Sequence, residues 1–325
     1  MRRDRMTPIY VHDYLLKSGT ALNAVSQRRV FAGALICVND GYGCVHPWPE
    51  FGDAPVEEQL RLLAEGITTP VTKMALQCAA VDGEARRAGV SLFEGLTIPR
   101  SHYSWSFAAE TEPQMQRVME EGWTAIKAKG FANYGETMRF LEGCAKRFEA
   151  QGVRLRVDFN GVLDRLTFEK FVEFMPLRVY RTLDFVEDPF PYDADAWEAI
   201  RHRWGVGLAL DKGWKSGTHG FDAVVVKPAR RDWRFVADLH VNKRLVMTSA
   251  MDHALGQMFA AYQAATASAQ GYALDFCGLC TEHLFEKEAF FERVRSHGGF
   301  LEADRSGGGL GFGEVLAALP WRRLA

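Results

Sequence analysis

Neither sign of charge is in excess in this chain: 39 lysines and arginines stand against 41 aspartates and glutamates, a formal net charge of −2. Without a surplus of positive charge there is no sequence-independent electrostatic drive onto nucleic acid or an anionic membrane. Long apolar runs are missing as well. No stretch reaches the roughly eighteen apolar residues that a membrane-spanning helix needs. The start Met1-Arg2-Arg3-Asp4-Arg5 lacks the apolar centre of a secretory signal. A cytoplasmic protein acting on a small molecule is therefore expected, and its oligomeric state is not legible. Cysteine is sparse, with Cys37, Cys44, Cys78, Cys144, Cys277 and Cys280 lying mostly inside apolar runs, as reduced thiols do. Only Cys277 and Cys280 are spaced Cys-x-x-Cys. The second pair that a structural zinc requires is missing, and His283 falls two residues too late for haem attachment.

What is present is an ordinary globular composition, 47% hydrophobic and 25% charged, over 325 residues. That length accommodates a barrel with a smaller domain attached. Residues 1 to 98 read as an α+β capping domain. Phe31 to Val38 and Gly41 to His46 are strand-like and meet through Asn39-Asp40-Gly41, residues that tolerate the positive φ of a tight hairpin. Val56 to Ala64 and Pro70 to Ala88 carry apolar residues at helical spacing, with Pro70 at a helix start. The loop Ser18 to Gln27, rich in small polar residues, reads equally as a lid over a site or as plain surface.

From residue 99 to 289 strand and helix patterns alternate, the signature of a parallel sheet. Ser101 to Phe107 is the first expected strand, and Glu112 to Glu121 its helix. Five short apolar runs then each end in charge: Thr124 to Lys129, Leu155 to Asp158, Phe185 to Glu187, Leu208 to Asp211 and Val224 to Lys227. Helices are expected at Tyr134 to Gln151, Thr167 to Val179 and Ala194 to Trp204, but Lys212 to Gly220 is too short to hold one. Arg231 to Val241 and His253 to Ala269 read as helices, Leu245 to Ser249 as a seventh strand and Tyr272 to Gly278 as an eighth, enough to close a barrel. The tail, residues 290 to 325, holds Ser306-Gly307-Gly308-Gly309-Leu310-Gly311-Phe312-Gly313. This run misses the third glycine of a dinucleotide fingerprint and reads as a flexible connection or a return to the first domain.

Strand tips of such a barrel meet at one mouth, and catalytic groups come from several strands. Alternation puts Lys127 and Lys129 on one side of their strand, and Arg156, Asp158 and Asn160 on one side of theirs. Asp158, Glu187 and Asp211 would converge there. Oxygen donors without histidine or cysteine suit Mg²⁺ or Mn²⁺. Salt bridges from the lysines and Arg156 would satisfy the same buried acids equally well. A lysine becomes a usable base when a second ammonium and a cation lie close by, as for Lys127 and Lys129, with Lys227 across the mouth. Such a set can remove the proton next to a carboxylate.

Lys127-Ala128-Lys129, Val157-Asp158-Phe159-Asn160, Val186-Glu187-Asp188-Pro189, Leu210-Asp211 and Val226-Lys227-Pro228, in this order, resemble the signatures of the enolase superfamily, muconate-lactonizing subgroup. Within it, Val45 to Gly52 and Thr248 to Gly256 are most similar to the o-succinylbenzoate synthases. The resemblance implies a (β/α)7β TIM-like barrel under an α+β cap, with Mg²⁺ on Asp158, Glu187 and Asp211. It makes Lys129 the general acid/base, Lys127 the partner that tunes it, and Lys227 a cation over the developing ring. Ser249, Thr248 and Asn160 become substrate-binding residues. The implied reaction is syn dehydration of 2-succinyl-6-hydroxy-2,4-cyclohexadiene-1-carboxylate to 2-succinylbenzoate, for menaquinone synthesis. The chain departs from the pattern at Lys212, where relatives often carry glutamate, in the short connection before Lys227, and at Ala250.

Smaller signals read blandly: His253 as a helix-terminal residue before a second acid or base, Trp197, Trp204, Trp214 and Trp233 as packing, and Arg230-Arg231 as a solvated helix start. Three rival functions remain: a racemase or epimerase of acyl amino acids or dipeptides with Lys129 and Lys227 on opposite faces, a carboxylate-binding barrel without turnover, and a Schiff-base aldolase, which three acids around Lys129 disfavour.

Overall fold

The computed structural model describes residues 7–107, 110–213, 215–239, 242–303 and 308–325; Met1 to Arg5, Trp214, Ser306-Gly307 and the end of the helix expected to reach Val241 lie outside them. The cap is an antiparallel sheet of β1 (Ile9–Lys17), β2 (Val30–Val38), β3 (Gly41–Val45) and β13 (Arg322–Arg323), in the order β13-β1-β2-β3. Helices α1 (Val56–Ala64) and α2 (Pro70–Ala88) cover one face. The hairpin forms at Asn39 and Asp40, whose φ values are 49° and 62°. β1 carries apolar residues on both faces, including the exposed Leu15, so alternation does not announce it in the sequence. β13 pairs with β1 and brings the tail back to the cap, and Leu310 N–H donates to Asp82 of α2. Gly309 also exchanges backbone hydrogen bonds with Val90 and Leu92, just after α2. A Cβ on Gly309, at φ 56°, would also stand 2.1 Å from Asp82 Oδ1.

The second unit is a parallel sheet in the order β10-β9-β8-β7-β6-β5-β4. Its strands are β4 (Tyr103–Ser104), β5 (Ala125–Lys129), β6 (Arg154–Asp158), β7 (Leu183–Glu187), β8 (Leu208–Leu210), β9 (Ala223–Val226) and β10 (Arg244–Met247). Around it run α3 (Thr111–Glu120), α4 (Tyr134–Phe148), α5 (Arg165–Glu173), α6 (Leu177–Thr182), α7 (Ala194–Trp204), α8 (Trp233–Leu239) and α9 (Ala254–Ala269). A β-hairpin of β11 (Arg295–His297) and β12 (Phe300–Glu302) and the short α10 (Gly313–Ala317) complete the tail. The architecture is a TIM-like (β/α)7β barrel beneath an α+β cap.

Three expectations need correction. The first strand is two residues long rather than Ser101 to Phe107, because Gln114 of α3 takes both backbone groups of Ser106 and turns the chain out of the sheet. The helix expected over Thr167 to Val179 is split into α5 and α6 by Pro176, which disfavours helical backbone at Met175 and lacks a donor itself. Tyr272 to Gly278 is not a regular strand. It closes the barrel through isolated bridges, Cys277 to Ser101 on one side and Leu274 and Gly278 to Leu245 and Thr248 on the other. Among the described residues, no helix is long and apolar enough to cross a membrane.

Candidate active site

Parallel strands with one register put their last residues at one level. Lys129 is paired with Asp158, and Asp158 with Glu187, in adjacent strands. Asp211 and Lys227 follow β8 and β9 directly, and Thr248 and Ser249 follow β10. A cavity of about 300 Å³ opens there, lined by Lys127, Lys129, Asp158, Asn160, Asp211, Lys227, Thr248 and Ser249. Among the described residues from Lys212 to Gly220 there is no helix, and Lys227 stands at the mouth. Glu187 is not in the cavity wall; it is buried behind Lys127.

Each expected metal-binding acid leans on a lysine. Lys127 Nζ lies 2.5 Å from Glu187 Oε2 and 3.4 Å from Asp158 Oδ2, Lys129 Nζ lies 2.6 Å from Asp158 Oδ2, and Lys227 pairs with Asp211. So placed, no three His, Cys, Asp or Glu side chains among the described residues are gathered closely enough to hold an ion. Of the expected ligands, Asp158 and Asp211 open on the mouth and Glu187 lies behind it. Their chemistry nonetheless fits a hard cation. Four carboxyls, buried at Asp158, Glu187 and Asp188 and partly buried at Asp211, gather near three ammonium groups, and among the described residues Glu187 Oε1 and Asp188 Oδ2 are buried without a hydrogen-bond partner. Burial and then the neighbouring Asp158 push Glu187 upward from the usual carboxylate pKa. Burial, Asp211 and Glu187 do the same more strongly to Asp188. A divalent cation among oxygen donors relieves such an excess of negative charge.

The two lysines of β5 differ. Burial pulls Lys127 down, but Glu187 and Asp158 outweigh it, so its pKa lies above the ordinary lysine value. Burial also pulls Lys129 down, and the like charge of Lys127 prevents Asp158 from restoring it, so its pKa lies below. Groups of one type driven apart in this way divide into a fixed charge and a proton carrier. Asp158, although burial opposes ionisation, is held well below its usual value by Lys129 and Lys127.

The remaining expectations divide. Asn160, at φ 52°, accepts from the Ala24 N–H at 3.1 Å, which ties the Ser18 to Gln27 loop to the barrel. Thr20, Ala21, Leu22 and Asn23 of that loop form part of the cavity wall, so in this structure it covers the mouth. Ser249 Oγ is engaged with Thr281 at 2.9 Å, whereas Thr248 Oγ1 is buried and unpartnered. Lys212 sits 3.8 Å above the Phe51 ring and binds barrel to cap, and Ala250 offers its carbonyl to the Trp48 indole at 2.9 Å. Arg230 is no solvated helix start: it lines the cavity and pairs with Asp53 of the cap. His253 caps α9 through its Nδ1, outside the cavity lining, and burial lowers its pKa to about 3. Arg156 pairs with Asp184 and Asp275 rather than with the acids of the mouth. Cys277 and Cys280 are buried thiols whose pKa values burial raises. Trp197 and Trp233 are buried in the core. Two further residues join the site: Asp188, visible as the second acid of Glu187-Asp188-Pro189, and His102, which a lone histidine among the serines and aromatics of Ser101 to Phe107 does not signal.

Two family models match the chain: the N-terminal domain of O-succinylbenzoate synthase over residues 9–85, and an enolase C-terminal domain-like model over residues 110–229. An o-succinylbenzoate synthase of Bdellovibrio bacteriovorus is 32% identical over 98% of this chain and 99% of its own length. Among solved structures, the N-succinyl Arg/Lys racemase of Bacillus cereus superposes with a TM-score of 0.75 at 16% identity, covering 94% of both chains. The dipeptide epimerase of Methylococcus capsulatus, complexed with Mg and a dipeptide, does so with a TM-score of 0.68 at 16% identity, over 94% of this chain and 99% of that one.

Proposed function

The chain belongs to the enolase superfamily and, within it, to the o-succinylbenzoate synthase family of lyases, and from that premise we propose that it dehydrates 2-succinyl-6-hydroxy-2,4-cyclohexadiene-1-carboxylate to 2-succinylbenzoate in menaquinone synthesis. Membership of an enzyme family sets aside the reading of a barrel without turnover. Members of the superfamily bind a divalent metal, typically Mg²⁺. Asp158, Glu187 and Asp211 would hold Mg²⁺, or Mn²⁺, which supplies Lewis-acid stabilisation of the negative charge that develops on the substrate carboxylate.

The observation that carries this reading is the convergence of Lys127, Lys129 and Lys227 with Asp158 and Asp211 on one cavity, Lys127 on Glu187, Lys129 on Asp158 and Lys227 on Asp211. Lys129, the more easily deprotonated of the two lysines on β5, takes the proton from the carbon next to the ring carboxylate. The electron pair left behind expels the hydroxyl as the C–O bond breaks. The ammonium of Lys129 returns its proton to that departing oxygen on the same face, so water leaves and Lys129 is neutral again. Lys127, kept charged by Glu187 and Asp158, pairs with the substrate carboxylate, and Lys227 offers a cation to the ring from the opposite wall.

The test is loss of diene absorbance on adding the cyclohexadiene substrate with Mg²⁺. Lys129→Ala should lower kcat by about a thousandfold, the scale of a lost general acid/base, while product binding stays within about threefold. Chelation should stop turnover and added Mg²⁺ restore it. An unmodified protein that leaves the diene untouched would remove the synthase reading.

Lys129 and Lys227 line the same cavity from β5 and β9, which also supports a second reading, two-base racemisation of an N-acyl amino acid. Solvent deuterium would then enter both enantiomers of the amino acid, whereas a dehydratase releases water.

A further inference from the structure

His102 lies between the bridge residue Ser101 and β4, with its N–H on the Cys277 carbonyl at 2.8 Å, and it is only 2% exposed. Its Nδ1 stands 3.2 Å from Arg156 Nη1. A guanidinium carries donors and no acceptor, so Nδ1 must be the acceptor and the ring proton must sit on Nε2. Arg156 cannot turn away: its Nε donates to Asp184 at 2.7 Å, Nη1 also donates to the Phe276 carbonyl at 2.6 Å, and Nη2 lies 3.1 Å from Asp275. The tautomer of His102 is thus imposed from beneath the cavity.

The other edge of the ring faces the cavity wall beside Gly278. A Cβ on that glycine would stand 2.9 Å from His102 Nε2 and 2.7 Å from Thr248 Cγ2, so only glycine lets the two side chains come this close to the eighth segment. Nε2 forms no hydrogen bond among the described residues, and Thr248 turns its methyl group to the same glycine. Both residues belong to the cavity lining. An unused N–H on a ring of fixed tautomer, in the cavity wall beside a glycine, makes a place for an acceptor oxygen, because buried polar groups left unpaired are costly.

We propose that His102 Nε2–H binds an oxygen of the substrate's succinyl arm, making His102 a substrate-positioning residue and its tautomer a device set by Arg156. The assignment rests on the dehydratase reading for the identity of the arm. Burial, and then the positive charge of Arg156, hold the His102 pKa well below the usual histidine value, so the ring donates without carrying charge. It leaves the excess negative charge of the metal-binding acids untouched.

The full-length protein with Mg²⁺ tests this in two ways. Nitrogen-15 NMR of labelled histidine, assigned by comparison with His102→Gln, should show the Nε2–H tautomer, with that signal moving on addition of 2-succinylbenzoate and not of benzoate. His102→Phe should weaken 2-succinylbenzoate binding and raise KM about tenfold, the scale of one net hydrogen bond, with benzoate binding and kcat changed less than about threefold. His102→Gln, whose amide N–H reaches about as far as Nε2, should recover most of the loss. An Nδ1–H or doubly protonated ring overturns the proposal whatever the variants do. Turnover by the unmodified protein with an unaltered KM in a folded His102→Phe overturns it while leaving the dehydratase reading intact. Failure of the unmodified protein to turn over the substrate or bind 2-succinylbenzoate removes both.

Discussion

Asp252 is the acid that the proposed reaction does not use. It is fully buried just before α9, both carboxyl oxygens lack hydrogen-bond partners among the described residues, and Gly256 leaves room for them: a Cβ there would lie 2.1 Å from Oδ2. Burial raises its pKa to about 7, against weak help from its own backbone, Arg230 and the backbone of Ala250. On the cap side it faces Cys44 and Tyr14, both kept neutral by burial. An acid whose folded pKa is raised holds its proton more tightly in the native state, so its contribution to stability is complete below the unfolded value near 3.9 and is lost as pH climbs towards 7. A rise of this size corresponds to about 4 kcal/mol at most. Asp252→Asn should therefore match the parent near pH 4 and exceed it by about 2 to 4 kcal/mol at pH 8 in urea denaturation. Identical pH profiles would show that Asp252 ionises freely. Asp252 and His102 were not legible as special residues, because what distinguishes them is a missing partner. Lys129, Asp158, Asp211 and Lys227 were legible because a charge at the end of an apolar strand has few structural uses.

At the scale of elements, the sequence yielded the alternation but not what closes the ring. The segment from Tyr272 to Gly278 makes too few ladder bonds to hold itself, and arginines pin it instead. Arg156 of β6 and Arg244 of β10 both reach Asp184 of β7 and Asp275 of the segment. Arg154 adds a looser contact to the same two acids, at 3.5 and 3.3 Å. The sequence reading put Arg156 on the face of Asp158 and Asn160, but its partners lie far along the chain and no local pattern names them. The division at Pro176 was readable in principle, and helical spacing on either side concealed it. If ionic pinning closes the barrel, Arg156→Met should cost about 2 to 3 kcal/mol, because it removes a fully buried guanidinium from Asp184 and Asp275 and leaves them to Arg244 and Arg154. Arg154→Met, at a side chain 40% exposed, should cost less than about 1 kcal/mol. Equal losses in chemical denaturation would refute the distinction between core pin and surface contact.

At the scale of the whole molecule, cap and barrel share one cavity, and the cap's part of the wall comes from Thr20 to Asn23, Trp48 and Phe51. The sequence left the Ser18 to Gln27 loop open between lid and surface because its small polar residues record neither role. Its position depends on contacts with other parts of the chain. Glu50 gathers Ser26 at 2.8 Å and Arg28 at 2.8 Å, which organises the loop within the cap. Beyond the Ser18 to Phe285 bridge at its start, the loop is tied to the barrel by the Ala24 N–H on Asn160 Oδ1. Losing that acceptor should loosen the loop without disturbing the lysines. Asn160 has a left-handed backbone, so alanine would add strain, and glycine is the cleaner substitution. Asn160→Gly should raise KM about tenfold with a smaller change in kcat, the weight of one hydrogen bond spent on closing the site. Since Asn160 also lines the cavity, KM alone does not separate fastening from direct contact with substrate. Limited proteolysis of the ligand-free protein does. Thermolysin should cut before Leu22 or Val25 faster in the variant, because a loosened loop is the preferred site of nicking. Unchanged cleavage with a raised KM would mean that Asn160 holds the substrate and the loop keeps its place without it.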